Sequence, residues 1–477
     1  MSNLPQIKVF NTATKRLENF ETVLPGIVRM YVCGPTVYDR SHLGHARTYI
    51  AFDAAKKYLI LRGYDVVHVQ NITDIDDKII KRAQETGISW SEVAEKNIKS
   101  YLDVLIKLGV QPTVSPRVTY HVGEIIEAIE KLIEKGYAYE SNGSVYFDVS
   151  KYEHYGELSG RRSIESWRQE EDVLKEKRNP YDFALWKKMK EGEPHWSSPW
   201  GEGRPGWHIE CSVMSSRYLG IPIDIHAGGG DLIFPHHENE KAQSEALFGV
   251  RPWVKYWMHT GMLTIKGEKM SKSLGNMVYI DEVLDRWSPE VIRTWVLSSH
   301  YRSQLEFNED ALQQYEANQQ RISTAYRELK NLIKELQQDF RLEDKDIATM
   351  REIEKLHNDF HEAMSEDFNT PLAFRSVMKA TDIFYSKVKE GKSFAIAIQL
   401  WMFLNEANYV FGFVLQEEPS SRDDERFRQL IELLIAVRKN LREKGIYDLA
   451  DGIRRSLAQL GIELQDSGLE TRYIVRK

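Results

Sequence analysis

Two short runs rich in β-branched residues flank one helical stretch near the start of the chain, and this arrangement restricts the fold more than any other feature. Residues 27–33, Ile-Val-Arg-Met-Tyr-Val-Cys, read as a strand stopped by Gly34-Pro35. Residues 44–61 carry Ile50, Ala54, Tyr58 and Leu61 at helical spacing, and Gly63-Tyr64 ends the pattern. Residues 65–70, Asp-Val-Val-His-Val-Gln, read as a second strand. Strand, helix and strand within about 45 residues form a βαβ unit, which implies a parallel sheet. Ligands are then expected just beyond the carboxyl ends of the strands.

Helical periodicity continues over residues 76–108. The texture changes near Tyr120, with one helix over 123–135 and a hairpin around Asn142-Gly143. Residues 156–206 are polar and rich in Gly, Pro and Trp. Helix and strand signals then return over 207–219 (helix), 221–226 (strand) and 235–248 (helix). From Ala311 the pattern is helical, with a polar break opened by Pro419. The chain is 477 residues long, too many for one core and enough for three or four domains. The expected fold is α/β. A Rossmann-like parallel-sheet catalytic domain (1–119 and 201–260) is split by a connective insertion (120–200). A connector (261–310), a helical bundle (311–418) and a terminal module (419–477) follow.

Hydrophobic residues make up 42% and charged residues 28%, which suits packed cores under a wetted surface. No apolar run reaches the roughly 18 residues that a membrane span requires, so no membrane partner is expected. The first residues lack the basic and apolar segments of a secretory signal, so the expected location is the cytoplasm. The net charge of −7 does not favour nucleic acid as a partner, although a local basic surface is compatible with it. There are two cysteines, Cys33 and Cys211. One disulfide would do little in so long a chain, which leaves two buried thiols or two ligands.

The loop after the first strand contains His42-Leu43-Gly44-His45 at a helix start, where free N–H groups and the helix dipole suit phosphate. Gly44 would let a base or phosphate approach the backbone, and His42 and His45 could donate to it. Far downstream, Lys269-Met270-Ser271-Lys272-Ser273 could clamp a polyphosphate. Taken singly, the first motif also suits a plain surface pair, and the second a solvated basic loop. No Gly-x-x-x-x-Gly-Lys-Ser/Thr stretch is present, so a P-loop is not the phosphate site. His236 and Glu240 lie four apart on a helix opened by Pro235, and so share a face. With Cys33 and Cys211 they make a chemically sound zinc set. Their spacing alone does not separate this from ordinary surface polarity.

His-x-Gly-His followed by Lys-Met-Ser-Lys-Ser resembles the double signature of class I aminoacyl-tRNA synthetases. Residues 31–38 (Tyr-Val-Cys-Gly-Pro-Thr-Val-Tyr), 71–78 (Asn-Ile-Thr-Asp-Ile-Asp-Asp-Lys), 206–212 (Gly-Trp-His-Ile-Glu-Cys-Ser) and 234–240 (Phe-Pro-His-His-Glu-Asn-Glu) resemble the cysteinyl-tRNA synthetases in order, over essentially the full length. The resemblance implies that Cys33, Cys211, His236 and Glu240 hold one zinc per subunit. His237 and Glu238 are the neighbours that could be mistaken for ligands. It implies ATP contacts from His42, Gly44, His45 and Lys272, and catalysis by His42, His45, Lys269 and Lys272. It also implies that Gly34, Thr73 and Trp207 line the amino-acid pocket. The implied substrates are L-cysteine, Mg-ATP and tRNA(Cys).

A related ligase that joins cysteine to an amino-sugar inositol carries a similar core, and is the alternative reading. A zinc-stabilised RNA-binding protein without catalysis is a third, and both intact ATP motifs argue against it. The terminal segment, with Arg438-Lys439-Asn440-Leu441-Arg442, Arg454-Arg455 and Tyr473, resembles a small helical anticodon module. Arg and an aromatic suit stacking on unpaired bases. The chain is read as a monomer, although nothing in its sequence sets the oligomeric state.

Overall fold

The computed structural model describes residues 4–160, 176–270, 274–415, 421–443, 447–459, 462–467 and 470–475. The chain divides into two compact units, Met1–Leu415 and Gln416–Lys477.

The first unit opens with a hairpin, β1 (Lys8–Asn11) and β2 (Arg16–Asn19). Its central sheet has four parallel strands: β3 (Ile27–Val32), β4 (Asp65–Gln70), β9 (Ile223–Gly229) and β10 (Val254–Thr260). Their spatial order is β10-β9-β3-β4. The βαβ expectation holds, with the crossover helix at Leu43–Leu61. The chain leaves β3 toward one edge and later returns through β9 toward the other. The direction of winding therefore reverses between β3 and β9, which in open α/β sheets is where ligands bind.

Alternation along β3 sorts its side chains between two cores. Val28, Met30 and Val32 enter a core with the Leu43–Leu61 helix, while Tyr31 and Cys33 enter the opposite one with residues of the Trp207–Leu219 and Glu238–Phe248 helices. Cys33 is thus set on the face where Cys211 lies. The sheet returns over residues 223–229, slightly later than the expected 221–226.

The insertion begins with the Val122–Glu134 helix and holds an antiparallel sheet of β5 (Ala138–Ser141), β6 (Ser144–Phe147), β7 (Phe183–Lys188) and β8 (Gly203–Pro205). The Asn142-Gly143 turn joins β5 to β6 as expected, while β7 and β8 add two strands to the stretch expected to be irregular. Gly206 follows β8 and lies tightly on β7: a Cβ there would lie 2.0 Å from the Ala184 carbonyl oxygen. A small sheet, β11 (Leu263–Ile265), β12 (Glu268–Lys269) and β13 (Leu305–Phe307), precedes a bundle of the Glu309–Glu335, Asp344–Ser365, Thr370–Ile383 and Phe394–Phe411 helices.

The second unit corrects the purely helical expectation for the terminal segment. The Ser421–Glu443 and Tyr447–Gln459 helices are followed by an antiparallel hairpin, β14 (Ile462–Ser467) and β15 (Glu470–Val475). Ile462 and Leu464 alternate into a core with Ile431 and Leu457. This is strand period in a segment too short to declare it against the preceding helices. Tyr473 is on β15, but its side chain lies outside the described residues.

Candidate active site

The carboxyl ends of β3, β4, β9 and β10 open on one cleft of about 270 Å³. Its backbone walls meet closely. Gly34 sits so near Asn71 that a Cβ would lie 1.6 Å from the Asn71 carbonyl oxygen, and the Gly34 N–H donates to Asn71 Oδ1 at 2.8 Å. Asn71 Nδ2 donates to Thr73 Oγ1 (3.2 Å), and Thr73 donates to Glu210 Oε2 (3.1 Å). Burial keeps the Glu210 carboxyl well above the usual carboxylate range. Gly34, Thr73 and Trp207 all line the cleft.

One end of the cleft gathers metal-binding side chains. Ligand atoms of Cys33, Cys211, His236 and Glu240 lie within 4.8 Å of one another, and all four residues are buried. Phe234 is extended (φ −139°, ψ 130°), so the helical turn starts at Pro235, as the sequence suggested. One turn then separates His236 Nε2 from Glu240 Oε1, 2.8 Å apart. Cys211 Sγ is 3.6 Å from His236 Nε2, and Cys33 Sγ is 3.8 Å from Glu240 Oε1.

The donor set suits a cation. Burial, then Cys211, push the Cys33 thiol well up, whereas the hydrogen bond from Cys33 draws Cys211 below its ordinary value. Glu240 Oε2 lies 3.1 Å from His226 Nε2 without the alignment of a hydrogen bond, although it is fully buried. Two sulfurs, an imidazole and a carboxylate brought together in a buried pocket offer a cation four donors at once. Cys33, Cys211, His236 and Glu240 therefore fit zinc by chemistry as well as by spacing.

A second group, Cys33, His226, His237 and Glu240, shares two of these residues. His237 Nε2 faces Cys33 Sγ at 3.2 Å, while its Nδ1 is 2.7 Å from His259 Nε2, whose Nδ1 is 2.8 Å from Thr12 Oγ1. Trp207 stacks on His236 (centroids 4.1 Å apart), and His208 Nδ1 lies 2.8 Å from His236 Nδ1. Sequence reasoning missed His226, His259 and His208, which sit singly on different elements. Glu238, the other neighbour of the pair, accepts from the backbone N–H groups of Gly156 and Ser159 and turns away from the sulfurs.

The other end of the cleft carries the histidine motif. His42 caps the Leu43–Leu61 helix, and its ring stacks on that of His45 (3.7 Å). Burial, then His42, hold His45 well below the ordinary imidazole value, so it is neutral. The His42 N–H donates to His45 Nδ1 (3.4 Å), which leaves the His45 proton on Nε2 as a donor. A Cβ on Gly44 would lie 3.0 Å from His42 Nδ1 and 3.4 Å from Met270 Cε. Lys269 is exposed on β12 and lines the cleft with Met270. Lys272 lies outside the described residues. Two further cleft residues escaped the sequence reading. Lys78 is 5.4 Å from the Tyr38 ring centroid and 5.9 Å from that of Trp207. Asp231 follows Gly228-Gly229-Gly230, a glycine run at a strand end that could have signalled it.

A parallel sheet with this reversal point, the histidine motif at its first helix and the lysine-bearing hairpin beyond its last strand define a class I aminoacyl-tRNA synthetase. Residues 19–317 match the family described as "tRNA synthetases class I (C) catalytic domain", and residues 359–416 match the DALR domain. The LeuRS of an Agrobacterium radiobacter K84 LeuRS-tRNA-LeuAMS ternary complex shares the fold at 12% identity, with a TM-score of 0.64 over 83% of this chain and 85% of that one. A Mycobacterium tuberculosis methionyl-tRNA synthetase in complex with methionyl-adenylate does so at 16% identity, with a TM-score of 0.62 over 81% and 92%. Among sequence relatives, the cysteine--tRNA ligase of Aeropyrum pernix is 53% identical over 98% of this chain and 99% of its own length. That of Staphylothermus marinus is 50% identical over 99% of both. The chain belongs to the cysteine--tRNA ligase family and is a ligase. None of its described helices is long and apolar enough to cross a membrane.

Proposed function

We propose that the chain joins L-cysteine to Mg-ATP, forming cysteinyl-adenylate and pyrophosphate, and then transfers the cysteinyl group to the 3′ end of tRNA(Cys). The substrate thiol is read by one zinc ion held by Cys33, Cys211, His236 and Glu240. One observation carries this reading: four buried donors from three distant segments converge beside a cleft whose other end is flanked by His42 and His45.

A bound zinc supplies a soft Lewis acid that favours a thiolate, which a serine hydroxyl matches poorly. An apolar pocket alone separates substrates by only about 1–3 kcal/mol per methylene. Four protein ligands are typical of a closed site, so a zinc held there would take the substrate sulfur as a fifth ligand or exchange one of the four, with Glu240 the natural candidate to loosen. Trp207, stacked on His236, fixes the ring that holds one ligand atom. Thr73 and Gly34 shape the pocket beside it.

In the first step a cysteine carboxylate oxygen bonds to the α-phosphorus as the bond to the bridging oxygen breaks, and pyrophosphate leaves. His45 donates through Nε2–H to phosphate oxygens, and His42 supports it. Gly44 keeps the approach open. Lys269 and Lys272 bring positive charge to the departing pyrophosphate, where charge builds in the transition state. In the second step a ribose hydroxyl of the tRNA attacks the cysteinyl carbonyl, and AMP departs.

Residues 1–119 and 201–260 form the catalytic domain on this reading, with 120–200 the insertion and 261–310 the connector of the lysine motif. Residues 311–418 are the bundle and 419–477 the anticodon-binding module of a cytoplasmic monomer. The test is pyrophosphate exchange with cysteine, serine and alanine, before and after zinc removal. Cysteine alone should support exchange, and chelation should abolish it. Full activity with selectivity intact in a zinc-free enzyme overturns the reading.

A further inference from the structure

Away from the cleft, the helical bundle holds a third group of metal-binding side chains. His357 and His361 lie one turn apart on the Asp344–Ser365 helix, and Glu406 faces them from the Phe394–Phe411 helix. The two Nε2 atoms are 3.1 Å apart, and Glu406 Oε2 lies 2.8 Å from that of His357 and 3.4 Å from that of His361. We propose that His357, His361 and Glu406 form a second divalent-metal site, of the zinc class, which pins these two helices together.

Three features carry the proposal. Two of the separations, 3.1 and 3.4 Å, lie near the edge of a tetrahedral zinc site, where bonds of about 2.0–2.1 Å place neighbouring ligand atoms roughly 3.3 Å apart, and the 2.8 Å edge would open slightly around an ion. The convergence also suits a metal, since two imidazole nitrogens and one carboxylate oxygen from two helices face a common point. A cation at the centre accepts all three lone pairs together. Finally, the group is braced from behind. His361 Nδ1 is 3.3 Å from Tyr58 Oη, which also donates to the His361 carbonyl oxygen (3.1 Å) and accepts from Arg62 (3.0 Å). Orienting partners on the far ring nitrogen are typical of metal-bound histidines. The His361 side chain is only 3% exposed, whereas His357 and Glu406 are 33% and 30% exposed. The fourth position therefore opens to water, and two imidazoles with one carboxylate suit zinc or cobalt rather than magnesium or calcium.

The test uses the full chain, stripped of metal and titrated with Co²⁺ and Zn²⁺ separately. Glu406→Gln keeps size and removes the charge, and His357→Gln removes one imidazole. The unsubstituted chain should bind one equivalent more than the double variant H357Q/E406Q. The lost Co²⁺ equivalent should lack a sulfur-to-metal charge-transfer band, and it should persist in C211S, which separates it from the cysteine-bearing site. Zn²⁺ should raise the melting temperature of C211S and leave that of C211S/H357Q/E406Q unchanged. Equal stoichiometry in the chain and the double variant overturns the proposal, as does a lost equivalent that carries the sulfur band. If H357Q/E406Q does not fold, E406Q alone decides, through at least a tenfold weaker Co²⁺ affinity or none.

Discussion

At the scale of single residues, the convergence of Cys33, Cys211, His236 and Glu240 was legible because each fell inside a motif. Cys33 ends a strand, Cys211 follows Gly-Trp-His-Ile-Glu, and His236 and Glu240 share a helix face. The surrounding imidazoles were not legible. His226 is one position in an alternating strand, and His259 one in another; nothing in either run says that both turn toward Cys33 and His237. His45 makes a first prediction. Because it is a neutral donor, His45→Ala should lower kcat for exchange by roughly 10²–10³, as loss of a transition-state donor does, with a small change in KM for cysteine. Steady-state exchange kinetics check this. His68 makes a second. It is 1% exposed on β4, its two ring nitrogens have no hydrogen-bond partner, and burial, then Lys56, lower it to about 3. The unfolded chain takes up this proton near pH 6.5 and the folded one does not. The associated stability is thus whole above pH 6.5 and drains as pH falls toward 3, by up to about 1.4 kcal/mol per unit. His68→Leu should move the acid-unfolding midpoint to lower pH, as followed by circular dichroism.

At the scale of elements, the βαβ unit and the Asn-Gly hairpin were readable because each has a local rule. Strands β7 and β8 were not. Phe183–Lys188 ends in two lysines and sits among glycines and prolines, and it becomes a strand through its pairing with β6 and β8. The same holds for the terminal hairpin, whose apolar alternation is two residues long. Gly206 links the insertion sheet to the helix that bears Cys211. A Gly206→Ala chain must separate the two by the width of a methyl group, which typically costs about 1–3 kcal/mol or more. Its melting temperature should fall, and its zinc content by metal analysis should fall with it. Unchanged values for both would refute a coupling between sheet and metal site.

At the scale of the whole molecule, the division after Leu415 falls close to the break expected at Pro419. The polar run was legible as a boundary because it lacks the apolar spacing of the helices on either side. A chain ending at Leu415 should keep cysteine-dependent pyrophosphate exchange near its full rate. Its kcat/KM for tRNA(Cys) charging should fall at least tenfold, on the order of losing about 1–3 kcal/mol per stacked base. Filter-bound charging against exchange separates the two activities. Equal charging by the shortened chain would contradict an anticodon role for the terminal unit.

The wide separation of Cys33, Cys211, His236 and Glu240 along the chain bears on how the protein comes into being. Cys33 and Glu240 are 207 positions apart, with the whole insertion between them. On a ribosome adding about 5–20 residues per second, the first sulfur waits on the order of ten to forty seconds before its last companion is made. During that interval β3 and β4 have no β9 beside them, and the nascent chain offers a lone thiol at the edge of half a sheet. On the zinc reading proposed above, loading of the ion is a late event of biogenesis, because it waits until β9 and the helix that bears Glu240 have joined β3.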